Sequence, residues 1–171
     1  VEGFSNKELK VLDSLHKSGK IPDTTYTITE EILSDYVQTY GELFTAGNGR
    51  MRSSDKRLAR KLAGRTLIKH NVYLGAKLTE IPAGVVYLIE NPAFPDHCKI
   101  GMTTDLAKRL SQFQTYDPYR AYSVTHYEFT LDRRQAEKLL LEKFSVSDES
   151  GEWVPIHFKD EFIREISKIP V

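Results

Sequence analysis

Gly84-Val85-Val86-Tyr87-Leu88-Ile89-Glu90, a break from Asn91 to His97 that holds Pro92 and Pro95, and then Cys98-Lys99-Ile100-Gly101 decide the fold. Two short apolar runs rich in Val, Ile and Tyr, on either side of a proline-punctuated loop, predict a hairpin of two strands. If the loop closes with Glu90 opposite Cys98, Tyr87 falls opposite Gly101 and diagonal to Lys99. Side chains two apart share a face, so one face then carries a phenol, an ammonium and a glycine gap. A helix should follow at once, with Thr103 and Thr104 as caps, Asp105 in its first turn, and Leu106, Leu110 and Phe113 at helical spacing. On that helix Arg109 flanks the leucine rows and can reach inward, whereas Lys108 points away.

Working outward, Tyr122 to Phe129 alternates as a third strand, and Thr130 can cap a helix from about Asp132 to Phe144 with the stripe Ala136, Leu139, Leu140 and Phe144. Glu137 lies at the flank of that stripe, near Leu141. A carboxylate beside a core is costly unless it has a cation or hydrogen-bond donors, which makes Glu137 a candidate metal ligand. His126 reads either as a proton carrier or as a structural histidine of a half-buried strand. Glu152 to Ile156 is a short strand or packing turn, Trp153 an anchor, and a last helix spans about Lys159 to Ile169.

The 83 residues before Gly84 read as helical. Ser5 and Glu8 form a possible capping box for a helix to His16 with Leu9, Leu12 and Leu15 as its apolar edge. Thr29 to Tyr40 carries Ile32, Leu33, Tyr36, Val37 and Tyr40 on one face, and a third helix starts near Ser54 with Ala59, Leu62, Ala63, Thr66 and Leu67 in one stripe. The formal net charge of zero hides a concentration of positive charge. Nine basic residues lie between Arg50 and Lys77 against Asp55 alone. Arg50, Arg52, Lys56, Arg57, Arg60, Lys61, Arg65 and Lys69 are the candidate nucleic-acid-binding residues, because such a charge run suits sequence-independent phosphate contacts. The bland reading of the same run is a solvated surface.

Composition sets the remaining bounds. With 171 residues, 40% hydrophobic and 28% charged, the chain suits one ordinary domain or a small domain with an appended one. Glu80 to Pro82 is the expected join, giving a basic helical region over 1–80 and a second domain over 84–171. No apolar run approaches the roughly 20 residues that span a bilayer, and Val-Glu-Gly-Phe-Ser has no signal-peptide pattern, so no membrane partner is expected. The single cysteine, Cys98, excludes internal disulfides and cysteine zinc clusters and reads as core filler.

Taken in order, Gly84-Val-Val-Tyr87, Lys99-Ile-Gly101, Arg109, Glu137 and Glu152-Trp153 resemble the GIY-YIG nuclease superfamily, in particular its compact phage-type branch. The resemblance covers about residues 84 to 155. It implies an α+β fold, a small three-stranded antiparallel sheet flanked by helices, here preceded by the mainly helical region. It also implies hydrolysis of DNA phosphodiesters with one divalent metal, Mg²⁺ or Mn²⁺. Carried over residue by residue, Glu137 would bind the metal, Tyr87 would position or deprotonate water, Arg109 would bind the scissile phosphate, and Lys99 would assist. A phenol is a poor base at neutral pH unless a cation favours its ionised form, and Lys99 is on the same face.

Three positions depart from that pattern: Lys99 stands where many relatives have a second tyrosine, Phe113 where some have a histidine, and Leu141 where a histidine is frequent. The expected partner is DNA, with RNA left open; the expected state is a monomer or homodimer, in the cytoplasm, that of the host if phage-encoded. Two other readings stand beside the nuclease: a nucleic-acid-binding or regulatory protein that kept the fold without efficient cleavage, and a scaffold in which Tyr87, Arg109 and Glu137 form a buried ion-pair network.

Overall fold

A computed structural model describes residues 3–44, 53–144 and 153–168. The chain divides into two compact units, Val1–Ala83 and Gly84–Val171. Arg50, Arg52 and Glu152 lie outside the described residues.

Among its described residues the first unit contains three α-helices, α1 (Asn6–Lys17), α2 (Glu30–Phe44) and α3 (Ser53–Tyr73). The capping box closes as the sequence predicts: the Glu8 amide donates to Ser5 Oγ at 3.2 Å and the Ser5 amide donates to Glu8 Oε1 at 3.0 Å. Leu33, Tyr36 and Tyr40 of α2 are buried, as are Ala59, Ala63 and Leu67 of α3, while the Tyr40 hydroxyl pairs with Thr66 Oγ1 at 2.6 Å. Two expected core positions are exposed instead, Leu9 and Leu62. In α1 the inward face is rotated to Glu8, Val11 and Leu15, because Glu8 is drawn in by Lys69.

The second unit is an antiparallel sheet of four strands, β1 (Gly84–Glu90), β2 (His97–Thr103), β3 (Ser123–Thr130) and the short β4 (Trp153–Pro155), in the order β3-β1-β2-β4. Helices α4 (Leu106–Thr115), α5 (Arg133–Lys143) and α6 (Lys159–Ser167) flank it. The α+β class is as expected, and the segment read as a strand or packing turn supplies a fourth strand. Val86, Leu88, Cys98, Ile100 and Val154 form one face, cored with Ala136, Leu140 and Phe144 of α5 and Phe162 and Ile166 of α6. Leu139 falls outside this core, 55% exposed, because α5 turns inward along Arg133, Ala136 and Leu140.

Aspartates rather than threonines cap α4 and α5. Asp105 accepts from the Lys108 amide at 3.1 Å and Asp132 from the Gln135 amide at 3.1 Å. Thr103 and Thr130 each sit two residues earlier and accept the aspartate's own N–H, at 3.1 and 3.4 Å, which sets the entry turn. In the ladder between β1 and β3, Leu88 faces His126 but Ile89 faces Val124, so Thr125 is an extra residue and β3 carries a bulge. Val124 and His126 therefore lie on opposite faces, where unbroken alternation predicts one.

Candidate active site

The hairpin closes in the register expected from its loop. Tyr87 pairs with Gly101 and Ile89 with Lys99, so Tyr87 and Lys99 are diagonal neighbours on one face. On the other side of β1, Tyr127 stands opposite Tyr87, and beyond Lys99 on β2 stands Trp153 of β4. This face is the reverse of the one cored by α5 and α6.

Gly101 is a requirement rather than a filler. A Cβ built there would lie 2.2 Å from the Tyr87 hydroxyl oxygen, 2.3 Å from Cζ and 2.8 Å from one Cε. The phenol thus lies flat against backbone that only glycine leaves bare, and the residue is 2% exposed. Gly84 has the same function on the other face, where a Cβ would meet Arg133 Cδ at 2.7 Å and the Thr103 carbonyl oxygen at 2.6 Å.

Lys99 is held by rings. Its Nζ lies 5.4 Å from the centroid of Trp153 and 5.5 Å from that of Phe113 on α4, both within cation–π range. Phe94 meets Trp153 edge-on at 5.3 Å, and Phe113 in turn packs on Tyr122 at 5.5 Å. Two of the departures from the resemblance, Lys99 and Phe113, are therefore in contact with each other. The other named residues come from the flanking helices: Arg109 is exposed on α4, and Glu137 is half-buried on α5, one turn after Arg133.

Arg133 is absent from the residues that the sequence singles out. It is 8% exposed, and burial, with neighbouring Arg134, pulls its guanidinium below the usual value. The signal that could have found it is the bare Gly84 together with the i, i+4 spacing of Arg133 and Glu137. His126, by contrast, sits on the α6 side. Its Nε2 lies 3.2 Å from both Glu128 Oε1 and Ser167 Oγ. The Ser167 hydroxyl also donates to the Ile163 carbonyl at 2.7 Å, and this shared set of contacts to α6 and Glu128 fits a structural histidine.

In the first unit the basic residues divide. Lys56, Arg57 and Arg65 are exposed. Arg60 is half-buried, its Nη1 3.3 Å from Glu30 Oε1, and Lys61 is also half-buried. Lys69 corrects the expectation of an outward basic residue: it is 7% exposed, its ammonium donating to Glu8 Oε1 at 2.8 Å and to the Gly3 carbonyl at 3.3 Å. Its charge is committed to a buried partner. Burial pushes the Glu8 carboxyl up, but hydrogen bonds from Lys69 and Ser5 outweigh it and hold the group below its ordinary value.

A small antiparallel sheet, helices on its faces, and a phenol, an ammonium and a bare glycine in one register define a compact α+β domain with a polar site on its hairpin. Residues 84–169 match the model of the T5orf172 domain, and the chain belongs to that family. This is a phage-associated domain in the GIY-YIG/HNH-like endonuclease area, and it points to a nuclease or DNA-binding role. No curated protein and no solved structure matches the chain. Among the described residues, no helix is long and apolar enough to cross a membrane.

Proposed function

We propose that residues 84–171 are a divalent-metal-dependent DNA endonuclease of the GIY-YIG type. The observation that supports this reading is the Tyr87 phenol lying on Gly101 with Lys99 diagonal to it, which puts two of the residues matched by the resemblance on one face. Family membership supports the coarser half, a nuclease or DNA-binding role.

The cation of this reading is a hard one held by a half-buried carboxylate on α5. Mg²⁺ keeps most of its waters and needs as little as one carboxylate, and Glu137 would be that ligand. Such an ion, when bound, supplies positive charge against the pentavalent phosphorus. The chain's own residues do the rest. Arg109, exposed on α4, offers its guanidinium fork to the scissile phosphate, and Tyr87 orients the attacking water through its hydroxyl. Lys99, fixed between Trp153 and Phe113, places a second positive charge on the Tyr87 face, where it would assist in holding the phosphate. In the first unit Lys56, Arg57 and Arg65 are the proposed phosphate contacts that hold DNA without reading its sequence.

One observation favours a second reading, a nucleic-acid-binding protein with weak or no cleavage: Tyr87 is only 2% exposed, and a phenol must meet water to orient it. Incubating the protein with supercoiled plasmid and Mg²⁺, beside Glu137→Ala and Arg109→Ala variants, separates the two. The nuclease reading expects nicked or linear product from the parent chain and none from either variant. Intact plasmid in all three, with DNA affinity retained, leaves the binding protein.

A further inference from the structure

Outside the hairpin, the largest aromatic exposure in the second unit belongs to the loop between α4 and β3. Tyr116 is 89% and Tyr119 88% exposed. Single exposed aromatics need no explanation, but these two stand three residues apart on a segment that is pinned. Asp117 Oδ1 accepts from the Tyr119 amide at 3.0 Å, and Oδ2 accepts from the Ala121 amide and from Asn91 Nδ2, both at 2.9 Å. The Gln114 side chain clamps Tyr122, donating to its carbonyl at 2.8 Å and accepting its amide at 3.1 Å. Arg120 is held in the left-handed region at φ 46°, a conformation that non-glycine residues keep only when their surroundings enforce it.

Exposed cations occur within this loop, at Arg120, and earlier on α4, at Lys108 and Arg109. Asp117 has its oxygens occupied by Tyr119, Ala121 and Asn91, and the backbone N–H groups of Ala121 and Tyr119 hold its carboxyl below the usual range. The loop also continues from the candidate site: Lys99 lies over Phe113, and Phe113 packs on Tyr122, which closes the loop.

We propose that this loop is a stacking platform for unpaired nucleobases, so that the preferred substrate is DNA carrying unpaired or extruded bases rather than uniform duplex. The inference rests on the nucleic-acid reading above and adds the substrate class. Tyrosine rings stack on any base face, guanidinium and ammonium groups track the phosphates between bases, and a loop already ordered loses little freedom on binding. Fully paired duplex hides its base faces and can use only the charges.

The test uses the full chain with Glu137→Ala, in chelator, so that affinity is read without cleavage. Fluorescence anisotropy compares a perfect duplex, the same duplex with a central unpaired bubble, and the single strand. The platform predicts that the bubble and the single strand bind about tenfold or more tighter than the duplex, as expected from one or two stacked bases. Tyr116→Ala with Tyr119→Ala should bring bubble affinity down to that of duplex and leave duplex affinity unchanged, whereas the paired Tyr→Phe changes keep the preference. Equal affinity for bubble and duplex, or a preference that survives the alanine pair, overturns the platform while leaving DNA binding in place. No binding to any of the three overturns both readings. Uncut plasmid in the cleavage assay beside a retained bubble preference overturns the nuclease alone.

Discussion

Substituting Gly101→Ala probes the packing on which the site is built. The new Cβ would begin 2.2 Å from the Tyr87 hydroxyl and 2.3 Å from Cζ. Unstrained carbon contacts start near 3.5 Å, so the phenol has to retreat by about 1.2 Å or more. It has little room to do so, being 2% exposed with Tyr127 opposite it on β3. Overpacking of this kind costs about 1–3 kcal/mol, and each kcal/mol moves the melting temperature of a unit of this size by about 4–8 °C. Trp153 is the chain's single tryptophan and belongs to the same unit, so its fluorescence reports the melting of the unit that carries the change. The sharper measurement is a double-mutant cycle with Tyr87→Val. In that background the methyl enters space that the ring has vacated, and Gly101→Ala should become neutral or stabilising, because alanine also suits a strand better than glycine. An equal penalty in both backgrounds, or a melting point within about 1 °C of the parent in the single variant, would refute the claim that glycine is there to seat the phenol.

Three further outcomes follow from the interactions in both units. Glu8 titrates below its ordinary value of 4.5 in the folded chain, so its contribution to stability is fully present above that value and is lost as the pH falls through the folded one. Lys69→Met should cost about 3–5 kcal/mol at neutral pH by stranding that buried carboxylate, and should remove the acid-side loss, read as denaturant midpoints against pH; parallel curves would exclude the pairing. The Cys98 thiol, pushed up to about 11 by burial with Glu90 adding to the effect, should resist iodoacetamide near neutral pH until denaturant is added, as followed by mass. Replacing Lys56, Arg57 and Arg65 with glutamine should lower the slope of log affinity for DNA against log salt by roughly 0.9 for each phosphate no longer neutralised, and an unchanged slope would return that surface to plain solvation.

The parts of the fold and site that the sequence exposed are those governed by local rules. Loop length and alternation were enough to place Tyr87 opposite Gly101, because in a hairpin the turn sets the register. Glu137 at the flank of its helix was readable from spacing alone. What escaped depended on partners distant in the chain. Lys69 reads as an outward charge until Glu8, 61 positions earlier, is known to face it. The inward turn of α5 depends on Arg133 filling the space over Gly84, which exposes Leu139. The position of the Lys99 ammonium was open for the same reason, since Phe113 and Trp153 come from two separate elements.

The bulge at Thr125 has a consequence for how the molecule behaves in a crowded solution. With the order β3-β1-β2-β4 among the described residues, one border of the sheet is a strand of three residues and the other is β3, eight residues long. A long straight border of that kind recruits other chains into continuous ladders. Here the extra residue sits partway along β3, its hydroxyl donating to Glu90, which Lys159 also holds at 2.9 Å. The interruption puts the two halves of the border out of step, so an incoming flat strand can match one half only. The same kink that turns His126 toward α6 thus works against fibrillar self-association.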